Sequence, residues 1–356
     1  MLSTIANIQK GSTITKEKTI EGKIPVVAGG QEPAYFHNQA NREANIITVS
    51  ASGAYSGFIN YWTTPIFASD CITIRSKNEA EISTKLIYCF IKSIQSVFFD
   101  LQRGQAQPHV YAVDIENVQI PVPPQDIQKK IITEFETVEK KEKAMIEKAT
   151  ELTSQIKSEF SELRYKKVYL GSIAEFKNGL NYSEKSTGDL VTIVGVKDFL
   201  EDFSPNLKKL VDVRIDGVLS NSYKLQSGDI LVVRSNGSSN LVGRFIYIDK
   251  LLKDTSYSGF TIRIRVNTDK INSKFLCYCL RTEKVRNAIT EDPKGANIKS
   301  INQTMLSSIN VPLPPIDEQL KIISRVEKLE KEITQIESEL ANIDLEKEQI
   351  LKEHLQ

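Results

Sequence analysis

The sequence predicts an α+β protein made of two similar globular domains, each followed by a long helix. Three observations predict it. Val122 to Ile132 (VPPQDIQKKII) returns 191 residues later as Leu313 to Ile323 (LPPIDEQLKII). Leu2 to Ile8 with Gly11 aligns with Leu170 to Phe176 with Gly179, an offset of 168. Both copies of the Pro-Pro segment open a charged run whose apolar residues fall on a heptad spacing. A period this long is far beyond the roughly 20–50 residues of solenoid repeats, so a whole domain-plus-helix unit is duplicated, as suits a protein that addresses two similar targets. The boundaries drawn are 1–123 and 168–315 for the domains, and 124–167 and 316–356 for the helices.

In the first domain, residues 45–50 (NIITVS) and 70–75 (DCITIR) are strand-like, and 82–101 is helix-like. A Gly-rich turn, Ser52-Gly53-Ala54-Tyr55-Ser56-Gly57-Phe58, lies between the strands. The first long helix follows the Pro123-Pro124 stop, with Asp126 near its positive N-terminus. Its apolar series is Ile131, Phe135, Val138, Met145, Ala149, Leu152, Ile156 and Leu163, interrupted by Glu142 and Glu159.

The second domain repeats the order. Residues 229–234 (DILVVR) and 260–266 (FTIRIRV) take the strand roles, 271–289 the helix role, and residues 235–245 form the Gly-rich turn. The second long helix follows Pro314-Pro315, with Asp317 at its start. Its series runs Ile322, Val326, Leu329, Ile333, Ile336, Leu340, Ile343 and Ile350, broken at Lys347. Such a seam buries nothing alone, so the two helices are each other's partners in a coiled coil. About 40 residues at ~1.5 Å each make a rod of ~60 Å, enough to hold two domains apart. The competing expectation is a coiled coil between identical chains.

Composition narrows the class. With 356 residues and 40% hydrophobic content, two to three domains can each bury a core. No apolar run approaches the roughly 18 residues that span a bilayer, and no leader pattern follows Met1, so a cytoplasmic location is expected. The four cysteines (Cys71, Cys89, Cys277, Cys279) form no CxxC pair and sit in apolar runs, which reads as core packing. Charge is uneven. Residues 168–315 carry 20 basic and 15 acidic side chains, residues 316–356 carry 6 and 11, and residues 1–123 carry 10 of each. The second domain thus has a modest basic excess, weak support by itself for a phosphate-backbone partner.

Catalytic patterns are missing. The three histidines (His37, His109, His354) form no HExxH or Cys/His cluster, and no GxxxxGK[ST] loop is present. The segments VPVPP and VPLPP lack the polar residue that precedes the prolines in amino-methyltransferases, and read as strand ends. Glu201 and Asp202 read as a solvated loop.

The order of a Leu-x-x-Ile-Ala opening, a Gly-rich turn, a strand, a short helix, a Pro-Pro segment with Gln, and a long helix, all twice, resembles the specificity subunit of type I restriction-modification systems. Residues 24–30 (IPVVAGG), 48–57 (TVSASGAYSG) and 311–319 (VPLPPIDEQ) lie closest to that pattern. One departure is that Tyr165-Lys166-Lys167-Val168-Tyr169 precedes Leu170, while Met1 directly precedes Leu2; either the first domain dispenses with that strand or the chain is shortened.

The resemblance implies two target recognition domains separated by two antiparallel spacer helices in a pseudo-twofold repeat. It implies double-stranded DNA as partner, methyltransferase subunits (two per chain) docked on the spacers, and translocating restriction subunits joining later. It implies no catalytic residue, metal or cofactor of the chain's own. The DNA site would be bipartite, with a fixed gap set by the rod at ~3.4 Å per base pair.

Base discrimination requires side chains that reach groove edges. In the second domain the candidates are Arg234, Asn236, Ser238, Asn240 and Arg244 on the Gly-rich turn, and Lys294, Asn297 and Lys299 around Gly295. In the first they are Ser52, Tyr55, Arg103, Gln105, Gln107 and His109. Arg pairs with guanine and Asn with adenine, while an ordinary solvated surface is the competing reading of each. Two rival functions remain: the recognition subunit of a type IIB-like enzyme, separable by its partner's nuclease motif, and a coiled-coil scaffold that binds no DNA.

Overall fold

Strand runs of two to six residues, apolar on the face turned inward, assemble into one sheet order that occurs twice. The computed structural model describes all residues except 105–106, 162, 200–202, 238, 252, 291–299 and 356, and the side chain of residue 239 also lies outside the description. After α1 (Leu2–Ile5) come β1 (Ala6–Lys10), β2 (Ile24–Val27), β3 (Tyr35–His37), β4 (Ile46–Ser50), β5 (Ile59–Trp62), β6 (Phe67–Ala68) and β7 (Cys71–Ser76). They form an antiparallel sheet in the order β1-β7-β4-β5 and a second sheet, β3-β2-β6, with β2 and β6 parallel.

The later strands are β8 (Lys167–Tyr169), β9 (Ala174–Asn178), β10 (Leu190–Val194), β11 (Val211–Arg214), β12 (Ile230–Val233), β13 (Phe245–Tyr247), β14 (Thr255–Tyr257), β15 (Thr261–Val266) and β16 (Asn310–Pro312). Their two main sheets are β9-β15-β12-β13 and β11-β10-β14, with β10 and β14 parallel. Register is kept as well as order. Ala6 to Lys10 face Ser76 to Ile72, and Ala174 to Asn178 face Val266 to Ile262. The offsets are 168 on one strand and 190 on the other, so 22 extra residues enter the second domain without a slip. A slip of one residue would turn every core side chain to the wrong face.

Gly11 and Gly179, matched in sequence, are matched in cause. A Cβ on Gly11 would lie 2.1 Å from the Ser69 carbonyl oxygen, and one on Gly179 2.2 Å from that of Ser258. Only glycine lets these backbones approach so closely.

The helices are α2 (Thr84–Ser93), α3 (Gln95–Asp100), α4 (Ala112–Glu116), α5 (Gln125–Ser161), α6 (Ser273–Leu280), α7 (Glu283–Thr290), α8 (Gln303–Ser307), α9 (Ile316–Leu340) and α10 (Ile343–Leu355). Ser83 caps α2 by accepting from the Leu86 N–H, and Asn272 caps α6 by accepting from the Lys274 and Phe275 N–H groups. Three helices expected to be continuous are divided. The 82–101 run breaks at Ile94, where Gln95 turns its amide to hold the Gly57 carbonyl and the Ile59 N–H. The 271–289 run breaks after Leu280, where Thr282 Oγ1 takes the Cys279 carbonyl and Arg281 Nη1 the Phe245 carbonyl. The last helix breaks at residues 341–342, where Asn342 Nδ2 bonds the Ser338 carbonyl. At the second and third breaks a side chain competes for a helix carbonyl, and at the first Gln95 is committed to backbone outside the helix.

By packing, the chain divides into two units, residues 1–148 with 335–356, and residues 149–334. The first unit's core joins Ile47, Ile74, Leu86 and Phe90 to Ile131, Phe135 and Val138 of α5 and to Ile343, Ile350 and Leu351 of α10. Glu134 meets His354, Lys141 meets Glu346 and Glu142 meets Lys347, so these two segments run antiparallel. Lys347, an interruption in one heptad series, is 1% exposed and bonds Glu142, an interruption in the other, at 2.6 Å. In the second unit Phe160 of α5 packs with Ile322, Ile323 and Val326 of α9, and Glu159 receives a fork of two bonds from Arg325.

The attachment of each long helix to its sheets is duplicated too. Buried Gln128 donates to the Pro123 and Glu81 carbonyls, and buried Gln319 donates to the Pro314 and Lys270 carbonyls. The Tyr88 hydroxyl donates to Glu139, and the Tyr278 hydroxyl donates to Glu330 at 2.7 Å. Burial first, and the facing carboxylate second, push both phenols well above their ordinary range.

Candidate nucleic-acid interface

Among the described residues, Ser52 and His109 of the first domain and Arg234 of the second lie at loop ends of the duplicated sheets, where the backbone bonds correspond between domains. In the first domain the Ala51 N–H bonds the Asp70 carbonyl, the Val110 N–H bonds the Ala51 carbonyl, and Ser52 bridges to His109. In the second the Arg234 N–H bonds the Phe260 carbonyl, the Ile301 N–H bonds the Arg234 carbonyl, and Ser235 bridges to Ser300. Ser52 therefore corresponds to Ser235, His109 to Ser300 and Asp70 to Phe260.

In the first domain the structure brings Ser52, Tyr55, Arg103, Gln107 and His109 together. Arg103 and His109 exchange backbone bonds of 2.8 and 2.9 Å, and the Gly53 N–H reaches the Pro108 carbonyl. Ser52 Oγ donates to Asp70 Oδ2, which fixes both side chains. The Arg103 guanidinium is held by Asp114, and the His109 ring lies 2.8 Å from the Gln107 carbonyl and stacks on Tyr111. Tyr55 is 47% exposed at the tip of its turn. Gln105 lies outside the described residues.

In the second domain Arg234 is half-buried, and its Nε has no hydrogen-bond partner among the described residues. Asn236 is half-buried beside it. Arg244 bends back, its Nε donating to the Asn240 carbonyl, which also receives Arg286 Nη2 at 2.5 Å. Asn240 and Arg244 thus brace their own turn. Ser238, Lys294, Asn297 and Lys299, with Glu201 and Asp202, lie outside the described residues.

Sequence reading missed a hollow of about 480 Å³ beside this turn, walled by Tyr182, Ile193, Val196, Lys197, Asn236 and Phe260. The strand pattern 260–266 places Phe260 as the first residue of a strand, whereas β15 begins at Thr261 and leaves Phe260 on the turn. Its signal was an apolar residue directly after Gly259, at the place where the first domain carries Asp70 directly after Ser69.

Neither domain offers a reactive thiol. Burial pushes the Cys71 and Cys277 thiols up to about 12, and Cys89 and Cys279 also rise. Among the described residues no group of His, Cys, Asp and Glu is arranged to hold a metal ion, and no helix is long and apolar enough to cross a membrane.

Comparison with known proteins places this geometry. Residues 1–154 and 163–345 match the family described as the type I restriction modification DNA specificity domain. The chain is 31% identical over 196 residues to the type I restriction enzyme StySPI specificity subunit of Salmonella potsdam, covering 54% of this chain and 42% of that protein. It is 25% identical over 345 residues to the MjaVIII specificity subunit of Methanocaldococcus jannaschii, covering 86% and 77%. The matched region is thus less than half of the first relative. The crystal structure of a type I restriction-modification S subunit from M. genitalium shares the fold, with a TM-score of 0.55 at 18% identity over 99% of this chain and 94% of that one.

Proposed function

The chain belongs to the type I restriction modification DNA specificity family, and from that premise we propose that it is a non-catalytic recognition subunit for a bipartite site on double-stranded DNA. Each sheet pair reads one half-site through its loop ends, at Ser52, Tyr55, Arg103, Gln105, Gln107 and His109 in the first domain. In the second the readers are Arg234, Asn236, Ser238, Asn240, Arg244, Lys294, Asn297 and Lys299. Domains bounded at 1–123 and 168–315 do the reading, while the spacers at 124–167 and 316–356 dock two methyltransferase subunits. Restriction subunits join that complex, which works on the genome in the cytoplasm.

The observation that carries this reading is the conserved register of the two sheet pairs beneath loop ends of different chemistry. A frame repeated residue for residue with changed tips suits two readers of unlike half-sites. Phosphate contacts fix register on the duplex, and base-edge contacts supply specificity. Modification-motif sequencing of the source genome gives the split site. The complex with the cognate methyltransferase subunit is then titrated onto that site and onto copies whose gap is longer or shorter by one base pair. Binding at least tenfold weaker to the altered gaps is expected; equal affinity for all three sinks the proposal.

A further inference from the structure

Phe260 is a large apolar side chain, 61% exposed, on a turn with little freedom to move. The Ser258 N–H bonds the Val194 carbonyl, the Gly259 N–H the Leu180 carbonyl, the Thr261 N–H the Ser258 carbonyl, and the Arg234 N–H the Phe260 carbonyl itself. The Phe260 N–H faces Ser258 Oγ at 3.3 Å. At Gly259 the turn passes close to its neighbour, a Cβ there lying 2.1 Å from Asn181 Oδ1 and 3.2 Å from the Leu180 carbonyl oxygen. The ring is thus held toward solvent by a braced backbone, with Tyr182, 36% exposed, across the same hollow. Keeping an aromatic ring wet on a rigid turn contributes nothing to folding, and such pre-positioning is what a contact surface requires.

The first domain shows that the position does not demand an aromatic ring. On the same backbone bond it carries Asp70, which accepts from Ser52. The fold tolerates a carboxylate or a phenyl ring there, so the choice follows what each domain meets. On a duplex, the apolar group that a base edge presents in the major groove is the 5-methyl of thymine, for which phenylalanine is a fitting contact. Lys197 and Asn236 on the hollow's wall supply a cation for a phosphate and an amide for a neighbouring base edge.

We propose that Phe260, backed by Tyr182, is a specificity-determining residue that recognises the 5-methyl group of one thymine in the half-site read by the second domain. This rests on the reading of the chain as a DNA recognition subunit.

The test uses the full chain in complex with its methyltransferase subunit and the split site found by modification sequencing. Each thymine of both half-sites and both strands is replaced singly by deoxyuridine, which removes the methyl and keeps every pairing group. One replacement is expected to weaken binding about fourfold, the worth of one buried methyl. Phe260→Ala is expected to bind the thymine site about as weakly and to lose the response to that replacement, while Phe260→Leu keeps part of it. Indifference to every replacement, an undiminished response in Phe260→Ala, or half-sites without thymine would each overturn the inference. So would a Phe260→Ala loss equal at all sequences, which marks a wedge between base steps instead. A wild-type complex that ignores the gap would sink the functional reading itself, whereas one that obeys the gap but ignores the methyl sinks only this inference.

Discussion

Two stretches of long helix do the same job with different means. In the first unit α5 and α10 meet through the buried Lys347–Glu142 pair, while in the second α5 and α9 meet through the Arg325–Glu159 fork, whose arginine is 49% exposed. The difference teaches that a break in an apolar seam is costly where its charge is buried and cheap where water can reach it. The sheets above the helices teach the opposite lesson, because there the two domains agree in strand order, register and glycine placement.

The sharpest way to break the comparison is Glu142→Ala. It leaves the Lys347 ammonium buried without its carboxylate, with Lys92 nearby, and a loss of about 3–5 kcal/mol in denaturant unfolding is expected. Lys347→Met, which fills the same space with an uncharged chain, should cost less than about 1 kcal/mol, and Arg325→Ala less than about 1 kcal/mol. Equal losses for Glu142→Ala and Arg325→Ala would erase the distinction.

A smaller and symmetric effect is expected from the duplicated glutamines. Gln128→Ala and Gln319→Ala each strip the donor from two carbonyls at a helix start, and each should cost about 1–3 kcal/mol. Calorimetry that finds one loss large and the other absent would show that the two helix attachments are not equivalent.

The remaining expected effect is in pH. Lys92 Nζ donates to the Ile59 carbonyl and to Gln95, and burial, ahead of the nearby Lys347 charge, lowers its pKa from 10.5 to about 8. A lowered lysine gives up its proton in the fold at about pH 8, while the unfolded chain keeps it to about 10.5. The unfolded state therefore binds more protons across that window, and the Lys92 contribution to stability rises with pH. Above about pH 10 the raised tyrosines act in reverse, since Tyr61 moves to about 12 by burial. Lys92→Met should flatten the stability slope between pH 8 and 10, and an unchanged slope in urea titrations would refute the assignment.

Much of this architecture was legible because it was written twice. The strand patterns at 45–50, 70–75, 229–234 and 260–266 located β4, β7, β12 and β15, whereas register pairs such as Ala6–Ser76 and Ala174–Val266 came only with the structure, because pairing depends on which strands meet. The helix series located α5 and α9, and the glycines at 11 and 179 marked a real backbone approach. What spacing did not convey was the pairing of interruptions, Lys347 with Glu142, because that depends on the stagger between helices. Nor did it convey the breaks at Ile94, where Gln95 is committed to the Gly57 and Ile59 backbone, and at Asn342, whose side chain takes a helix carbonyl. At the loop ends, residue type favoured polar candidates and passed over Phe260, whose exposure is a tertiary property. Arg244 shows the converse: on a Gly-rich turn, the Nε of a charged side chain goes to its own turn's carbonyl, which residue type alone does not reveal.

The backbone bond that seats Phe260 has one more consequence. Because the Arg234 N–H grips a main-chain oxygen and not the ring, and because the Ala51 N–H grips Asp70 in the same manner, the identity of the tip residue is decoupled from the stability of its seat. Mutation can explore that site without first unfolding the protein, so new preferences can arise one substitution at a time on an inherited chassis.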